Sequence, residues 1–349
     1  PSLKEPLFDY LIAGTDAALI KAQEGAEDDP VTGIEELKSK TRDCDEFITI
    51  GITCGLSAPY VAGQLYHAIH DCHQPGILVG FSPLERARTN IPENWSMSFR
   101  QVMEAIKHDP LAHFLNPVIG PEPVTGSTRM KGGSATKIIL EMLISLAILK
   151  TWSILKNEPD MQHQPPWNFQ DLFYLFLNDY ESAKNWVYQR QRHLAPILDT
   201  AGRCLNHKGH IYYLGEGVAG QLGIVDASEC PPTFGADFND IRGFIEGGWE
   251  RFSPTSRDLS DVSHLYRIGF DYFKRELLPT LNSNDMLVFT GGRDFYQRQQ
   301  NFIADVLLKQ VNPVYIRLKD IDDDGPLGIV EPHLTLQAKL TDRQFPLSL

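Results

Sequence analysis

The sequence predicts an α/β fold built on parallel sheets, with two such units in tandem. Three observations predict it. Short β-branched runs alternate with amphipathic segments, the pattern of strands buried on both faces and joined by helical crossovers. The pattern occurs twice, and the second occurrence repeats the first at an offset of about 235 residues. The length of 349 residues also exceeds what one core ordinarily organises.

In chain order, EFITIGI (46–52) is a compact apolar run that reads as a buried strand. SAPYVAGQLYHAIHDC (57–72) follows with helical spacing of Tyr60, Val61, Leu65 and Ile69. GILVGF (76–81) and HFLNPVIG (113–120) are the next two strands, and a helix running on from Lys131 closes the first block. NEPDMQHQPPWNF (156–168) reads as a linker, with three prolines among polar residues. A helical stretch from about Gln170 to Leu205 comes next. HIYYLGE (210–216), RGFIEGG (242–248), DMLVFTGG (285–292) and PVYIRLK (313–319) are strands, with an amphipathic helix over 294–310. The expected domains are 1–155, a helical connection over 156–206, and 207–349.

The two blocks align segment by segment. YLIAGTD (10–16) parallels GFIEGGW (243–249), EFITIGITCG (46–55) parallels DMLVFTGGRD (285–294), and GILVGF (76–81) parallels NPVYIR (312–317). The stretch HIYYLGEGVAGQLGIVDASECPP (210–232) has no counterpart, because the chain begins before that point is reached. The first copy is therefore expected to lack its opening strand, glycine loop and helix.

Composition narrows the function. A net charge of −13 opposes a nucleic-acid partner, whose phosphates demand clustered Lys and Arg, and disfavours an anionic membrane surface. An anionic ligand must then be held in a local pocket against the overall field. The five cysteines (44, 54, 72, 204, 230) are scattered, with no CxxC pair, and read as reduced thiols rather than a zinc site. The apolar run after Lys131 is interrupted by Glu141 and reads as too short to span a bilayer. No metal or cofactor is expected.

In open α/β sheets, ligands sit beyond the carboxyl ends of the strands, at helix N-termini. Three stretches meet that condition. Thr53, Cys54, Gly55 and Ser57 lie between a strand and a helix, where hydroxyls and backbone amides can surround a phosphate. The same residues also suit a tight turn with Ser57 as helix cap. GEGVAGQLG (215–223) has glycine-loop spacing, but Val218 and Ala219 stand where a phosphate grip wants hydroxyls, so it reads as a turn without its ligand. GSTRMKGGSATK (126–137) offers Ser127 and Thr128 as donors and Arg129 and Lys131 as charge. It fits an anion grip, a loop capping a core helix, or, for Arg129, an ion pair with a carboxylate. Two carboxylates stand out: Glu27 within QEGAEDD, which also fits a solvated face, and Glu229 among the small and apolar residues of DASECPP.

NPVIGPEPVTGSTRMKGGSATK (116–137) resembles the shared signature of N-acetylmuramic acid 6-phosphate etherases and glucokinase regulatory proteins. LIAGTDAALIKAQEGAEDD and LGEGVAGQLGIVDASECPPTFGADF resemble further blocks of that family, and PTFGADFNDIRGF and KGGSATK are most similar to the regulators. The resemblance implies tandem SIS (sugar isomerase) domains, each a parallel sheet flanked by helices. It implies a sugar-phosphate-binding regulator in cytoplasm and nucleus that inhibits glucokinase, modulated by fructose 6-phosphate and fructose 1-phosphate, without a catalytic role. By motif, Thr53, Cys54, Gly55 and Ser57 would line the phosphate side, Glu27 would hold sugar hydroxyls, Thr128 and Arg129 would line the same site, and Glu229 would reach in from the second domain. The upstream loop and the helical lid of the regulators have no counterpart in this sequence. The alternative implied by the resemblance is an etherase, a carbon–oxygen lyase in which Glu27 and Glu229 would take a proton and assist departure of the lactyl ether. Because the regulators keep the same pair, its presence does not discriminate.

Overall fold

The computed structural model describes residues 8–155, 169–253, 256–319 and 335–339. The chain divides into two units, one formed by residues 1–18 with 23–173 and the other by 19–22 with 174–349. The expected linker, 156–168, lies outside the described residues.

In the first unit, α1 (Pro30–Lys40) precedes β1 (Thr49–Ile52), α2 (Pro59–Tyr66), β2 (Gly76–Val79), α3 (Phe99–Ile106), β3 (Ala112–Leu115) and α4 (Lys131–Leu155). The three strands form one sheet in the order β1-β2-β3, and both pairings are parallel. Strand β3 is shorter than the expected 113–120. It stops where Pro117 cannot donate to a ladder and where the Asn116 amide turns back to the carbonyls of Gly80 and Ser82, at 2.8 and 3.0 Å. Leu56, Leu65, Ile69, Leu78, Phe99 and Val102 are buried together and make the core.

Helices α1 and α2 cross backbone to backbone. A methyl group added at Gly33 would land on the Tyr60 carbonyl, and one at Gly63 on the Pro30 carbonyl. Each glycine thus lets the other helix approach. Asp29 fixes where α1 starts, since its carboxylate accepts the N–H groups of Val31 and Thr32 at 3.0 and 3.1 Å. Pro59 fixes the start of α2, at a position whose N–H needs no partner.

After the connecting helices α5 (Phe169–Tyr188) and α6 (Gln191–Asn206), the second unit holds β4 (Ile211–Gly215), α7 (Gly217–Phe234), β5 (Ile241–Ile245), the short helices α8 (Trp249–Phe252) and α9 (Phe270–Tyr272), β6 (Met286–Gly291), α10 (Arg293–Arg298), α11 (Gln300–Leu307), β7 (Asn312–Lys319) and β8 (Thr335–Lys339). Its sheet runs β5-β4-β6-β7-β8, all parallel. The helix expected over 294–310 is two, broken at Gln299, and the stretch 170–205 likewise breaks after Tyr188. Phe244, Phe273, Phe289, Phe295 and Phe302 pack at the core, several of them edge to face.

Two further features bear on the sequence reading. Residues 10–16 form no strand, although they parallel β5. Strand β5 is held by β4, and among the described residues no strand lies on the outer side of β1 to hold 10–16 in the same way. Helix α4 is also longer than its unbroken apolar run suggests. By length and composition the stretch Lys131–Thr151 could cross a membrane, because a helix accommodates the charged residues that interrupt the run. Only 17% of its most apolar window is buried within the described structure.

Candidate functional site

The loop between β1 and α2 is built around Thr53. Its N–H continues the ladder to the Val79 carbonyl at 3.0 Å. Its hydroxyl is buried and accepts the N–H groups of Ser57 and Ala58, at 3.2 and 3.3 Å. Two amides that could have met a phosphate are therefore met by Thr53, while the hydroxyl keeps its own proton to give. Leu56 adopts φ 54°, a conformation costly for a leucine, and its side chain is wholly buried. The core thus clamps the loop from below, which leaves Ser57 exposed above it.

The acid turn meets this loop through Arg88, a residue the sequence reading did not single out. Its guanidinium donates to the Ser57 carbonyl at 3.2 Å and pairs with the Asp28 carboxylate. Its backbone N–H donates to the Leu56 carbonyl at 3.0 Å. Glu27 lies in the one-turn helix Ala26–Asp28, beside Asp28, and its side chain is exposed. Asn94 holds Asp29 from the same side at 2.7 Å. Between these segments lies an open cleft of about 280 Å³, lined by Gly25, Asp28, Asp29, Arg88, Asn90 and Asn94. An arginine followed by two asparagines within seven residues was the available signal, but nothing in that spacing says which loop they face.

The 126–137 stretch also reaches this loop. Gly132 packs on the loop: a methyl group there would lie 3.0 Å from the Cys54 sulfur. Cys54 also lies 3.8 Å from the Thr136 hydroxyl. Arg129 faces Glu24 of the acid turn. Burial holds the guanidinium below its ordinary value, and the Glu24 carboxylate opposes that effect. Thr128 is exposed, and its carbonyl accepts the Gly133 N–H at 2.9 Å.

The anion at the start of α4 is the chain's own. Both oxygens of the Glu122 carboxylate accept backbone N–H bonds, from Lys131 at 2.8 Å and Gly132 at 2.7 Å. The Lys131 ammonium is directed to the carbonyls of Ile119 and Pro121 rather than to an open site. The expectation that Lys131 supplies charge to an anion grip is thereby corrected.

In the second unit Glu229 lies on α7 and is partly buried. The glycine loop keeps its tight turn, with Gly215 and Gly220 in backbone contact. Beyond the strands, Arg298 bridges Glu216 at 2.6 Å and Glu246 at 2.7 Å. Gln299 donates to Glu246 at 2.7 Å, and the Gly292 N–H donates to Glu216 at 3.0 Å. The two carboxylates push the Arg298 guanidinium further above its ordinary value. The sequence reading missed this network. Its signal is a glutamate directly after each of two strands, in YLGE and FIEG.

Family models match both parts of the chain. The N-terminal SIS domain of glucokinase regulatory protein matches residues 2–69, and its second SIS domain matches residues 188–312. The glucokinase regulatory protein of Xenopus laevis is 38% identical over 84% of this chain and 46% of its own length. That of Homo sapiens is 38% identical over 89% of this chain and 49% of its own. The chain belongs to the SIS-domain family of the glucokinase regulatory proteins. It spans about half the length of the curated regulators it matches. The etherase branch is similar over a shorter stretch: an N-acetylmuramic acid 6-phosphate etherase of Gloeobacter violaceus is 35% identical over 40% of this chain and 39% of its own. Both β-sheets being wholly parallel and flanked by helices agrees with the SIS assignment.

Proposed function

We propose that this chain is the sugar-phosphate-sensing part of a glucokinase regulator, with its ligand at the carboxyl end of the first unit's sheet. One observation carries the reading: the Thr53–Ser57 loop, the Glu27 turn and the Thr128–Arg129 stretch converge there, joined by Arg88 and by the Gly132–Cys54 contact. Hydroxyls of Thr53 and Ser57 donate to phosphate, Glu27 accepts from sugar hydroxyls, and Arg129 supplies positive charge in an otherwise acidic chain. The ligand is a fructose phosphate, with fructose 6-phosphate and fructose 1-phosphate favouring different states of the complex with glucokinase. Coupling of that kind needs each ligand to prefer one state.

Calorimetric titration of the chain with each phosphate, alongside glucokinase kinetics, tests the reading. Binding is expected, weakened at least tenfold by Thr53→Ala with Ser57→Ala, together with slower glucokinase in the presence of fructose 6-phosphate. Absence of binding to both phosphates, with glucokinase unaffected across the protein titration, overturns it. Lactate release from N-acetylmuramic acid 6-phosphate, abolished by Glu27→Gln, would replace it with the etherase reading.

A further inference from the structure

Away from the candidate site, α2 does not end as an α-helix. Over His67–Asp71 it widens into a π turn, closed by the Cys72 N–H donating to the His67 carbonyl at 3.0 Å. The widening has a geometric consequence. In an α-helix of about 3.6 residues per turn, the fourth residue onward lies beside the first while the fifth swings away round the cylinder. A turn closed from residue i to i+5 is broader and brings both alongside. Asp71 and Cys72 accordingly flank His67 on opposite sides of its ring. Nδ1 lies 2.7 Å from the Asp71 carboxylate and Nε2 lies 3.3 Å from the Cys72 sulfur.

We infer that Cys72 is a reactive thiol with a built-in base, a modification site whose substrate class is a small hydroperoxide or comparable uncharged electrophile. The arrangement has the parts of an activated nucleophile: a thiol on a base, and the base oriented by a carboxylate. With Asp71 accepting from Nδ1–H, the tautomer leaves Nε2 as an acceptor toward the thiol. Ring orientation is fixed further by burial, since His67 is 7% exposed. Asp71 is shared with His70, whose Nδ1 lies 2.9 Å from its other oxygen. The two imidazoles hold the Asp71 carboxyl below its ordinary value. Burial and the Asp71 charge push the Cys72 thiol up, with Lys38 of α1 opposing them, so the sulfur rests as a thiol and needs the base at the moment of reaction. Cys72 itself is partly exposed, which admits a small reagent. Among the described residues no group of three or more His, Cys, Asp or Glu is arranged to hold a metal ion.

The step balances as follows. The sulfur attacks one oxygen of the hydroperoxide, the S–O bond forms and the O–O bond breaks. The thiol proton passes to Nε2 of His67 and on to the departing oxygen, which leaves as water or an alcohol. Sulfur is oxidised to sulfenic acid and the peroxide is reduced.

The test uses the whole chain, limiting hydrogen peroxide and a sulfenic-acid trap, with each cysteine followed by peptide mass spectrometry. Cys44 is exposed and Cys204 is buried, so they serve as the unassisted and the folded-state references. At pH 7 Cys72 is expected to react at least fivefold faster than Cys44. His67→Gln is expected to slow Cys72 at least fivefold and leave Cys44 unchanged. It should also shift the rise of the Cys72 rate toward higher pH, because the thiol must then ionise without a base. Cys44 matching or outpacing Cys72 overturns the inference, as does an unchanged Cys72 rate in His67→Gln. Should Cys204 become reactive in that variant, Asp71→Asn, at an exposed carboxylate, decides instead: about threefold slowing of Cys72 supports the relay and an unchanged rate overturns it.

Discussion

The two units end their parallel strands in opposite ways. Beyond β1 the first unit presents a loop of small residues and hydroxyls, clamped by the buried Leu56 and the Thr53 hydroxyl, with Ser57 left exposed. Beyond β4, β5 and β6 the second unit presents one arginine across two glutamates, with a glutamine and a backbone amide completing the network. In the second unit the strand ends are stabilised by groups that satisfy one another. In the first, some of the polar capacity faces outward. A ligand at the first end gains contacts, whereas one at the second must first displace an ion pair. The comparison therefore separates what the shared architecture requires from what one unit adds.

The largest effects should come from the glycines that let helices approach. Gly63→Ala pushes a methyl group against the Pro30 carbonyl and so forces α1 off α2. The expected cost is about 3 kcal/mol by chemical denaturation, at the high end for overpacking because a backbone atom must move. The second unit offers a matched control. At Gly243 of β5 a methyl group meets the backbone of Ile224 on α7, and Gly243→Ala should cost about as much. The variants should differ in function. Helix α1 begins just after the acid turn and α2 just after the Thr53 loop, so Gly63→Ala should also weaken fructose phosphate binding. If Gly243→Ala weakens it equally in protein that is still folded, the assignment of the first unit as ligand-bearing loses its support.

Thr53→Ala comes next. It removes the acceptor for two backbone N–H groups, a loss of about 1–2 kcal/mol. Ligand affinity should fall at least tenfold, because the loop loses both its shape and a donor. Thr53→Ser keeps the hydroxyl and should restore most of both. Failure of serine to rescue would point to packing around the methyl group rather than to the hydroxyl.

The sheets were legible in the sequence because buried parallel strands read as short β-branched runs: β1, β2, β4 and β6 fall inside the runs that mark them, and β5 and β7 each begin one residue earlier. Residues 10–16 match β5 in pattern yet form no strand, because a strand also needs a neighbour, and pairing is not written in the strand itself. Of the candidate site, the position of the Thr53–Ser57 loop between a strand and a helix was legible. Arg88 and Glu122 were not. Arg88 acts on Asp28 and Ser57, distant in sequence, and Glu122 reaches across a loop to the first amides of α4; only the fold says which segment each meets. The Arg298 network escaped for the same reason, since Glu216 and Glu246 become neighbours only when β4 and β5 pair.

Arg298→Leu probes the filled end. It leaves two carboxylates close together without their shared cation. The arginine is 48% exposed, so water and salt screen much of the repulsion, and a loss of about 1 kcal/mol is expected. Raising salt from low to about 1 M should shrink the difference from the parent chain, as screened charges require. Fructose phosphate binding should stay unchanged, which sets this variant apart from those in the first unit.

The smallest effect concerns Asp29. Hydrogen bonds from the Thr32 side chain and backbone are the leading cause of its depressed carboxyl, with Asn94 and Val31 adding to them. A folded-state value below the unfolded one contributes stability that is present above the ordinary value of 3.8 and is lost as pH falls through the lower, folded value. Asp29→Asn keeps an oxygen to cap α1 but loses the charge, so at pH 7 the variant should be less stable by about 0.5 kcal/mol. The gap should close as pH drops below 3.8, because the parent then carries a neutral cap as well. A gap that shows no narrowing as pH falls below 3.8 would mean that the charge of Asp29 does not carry the difference, and the Asn94 contact would then be the first place to look for it.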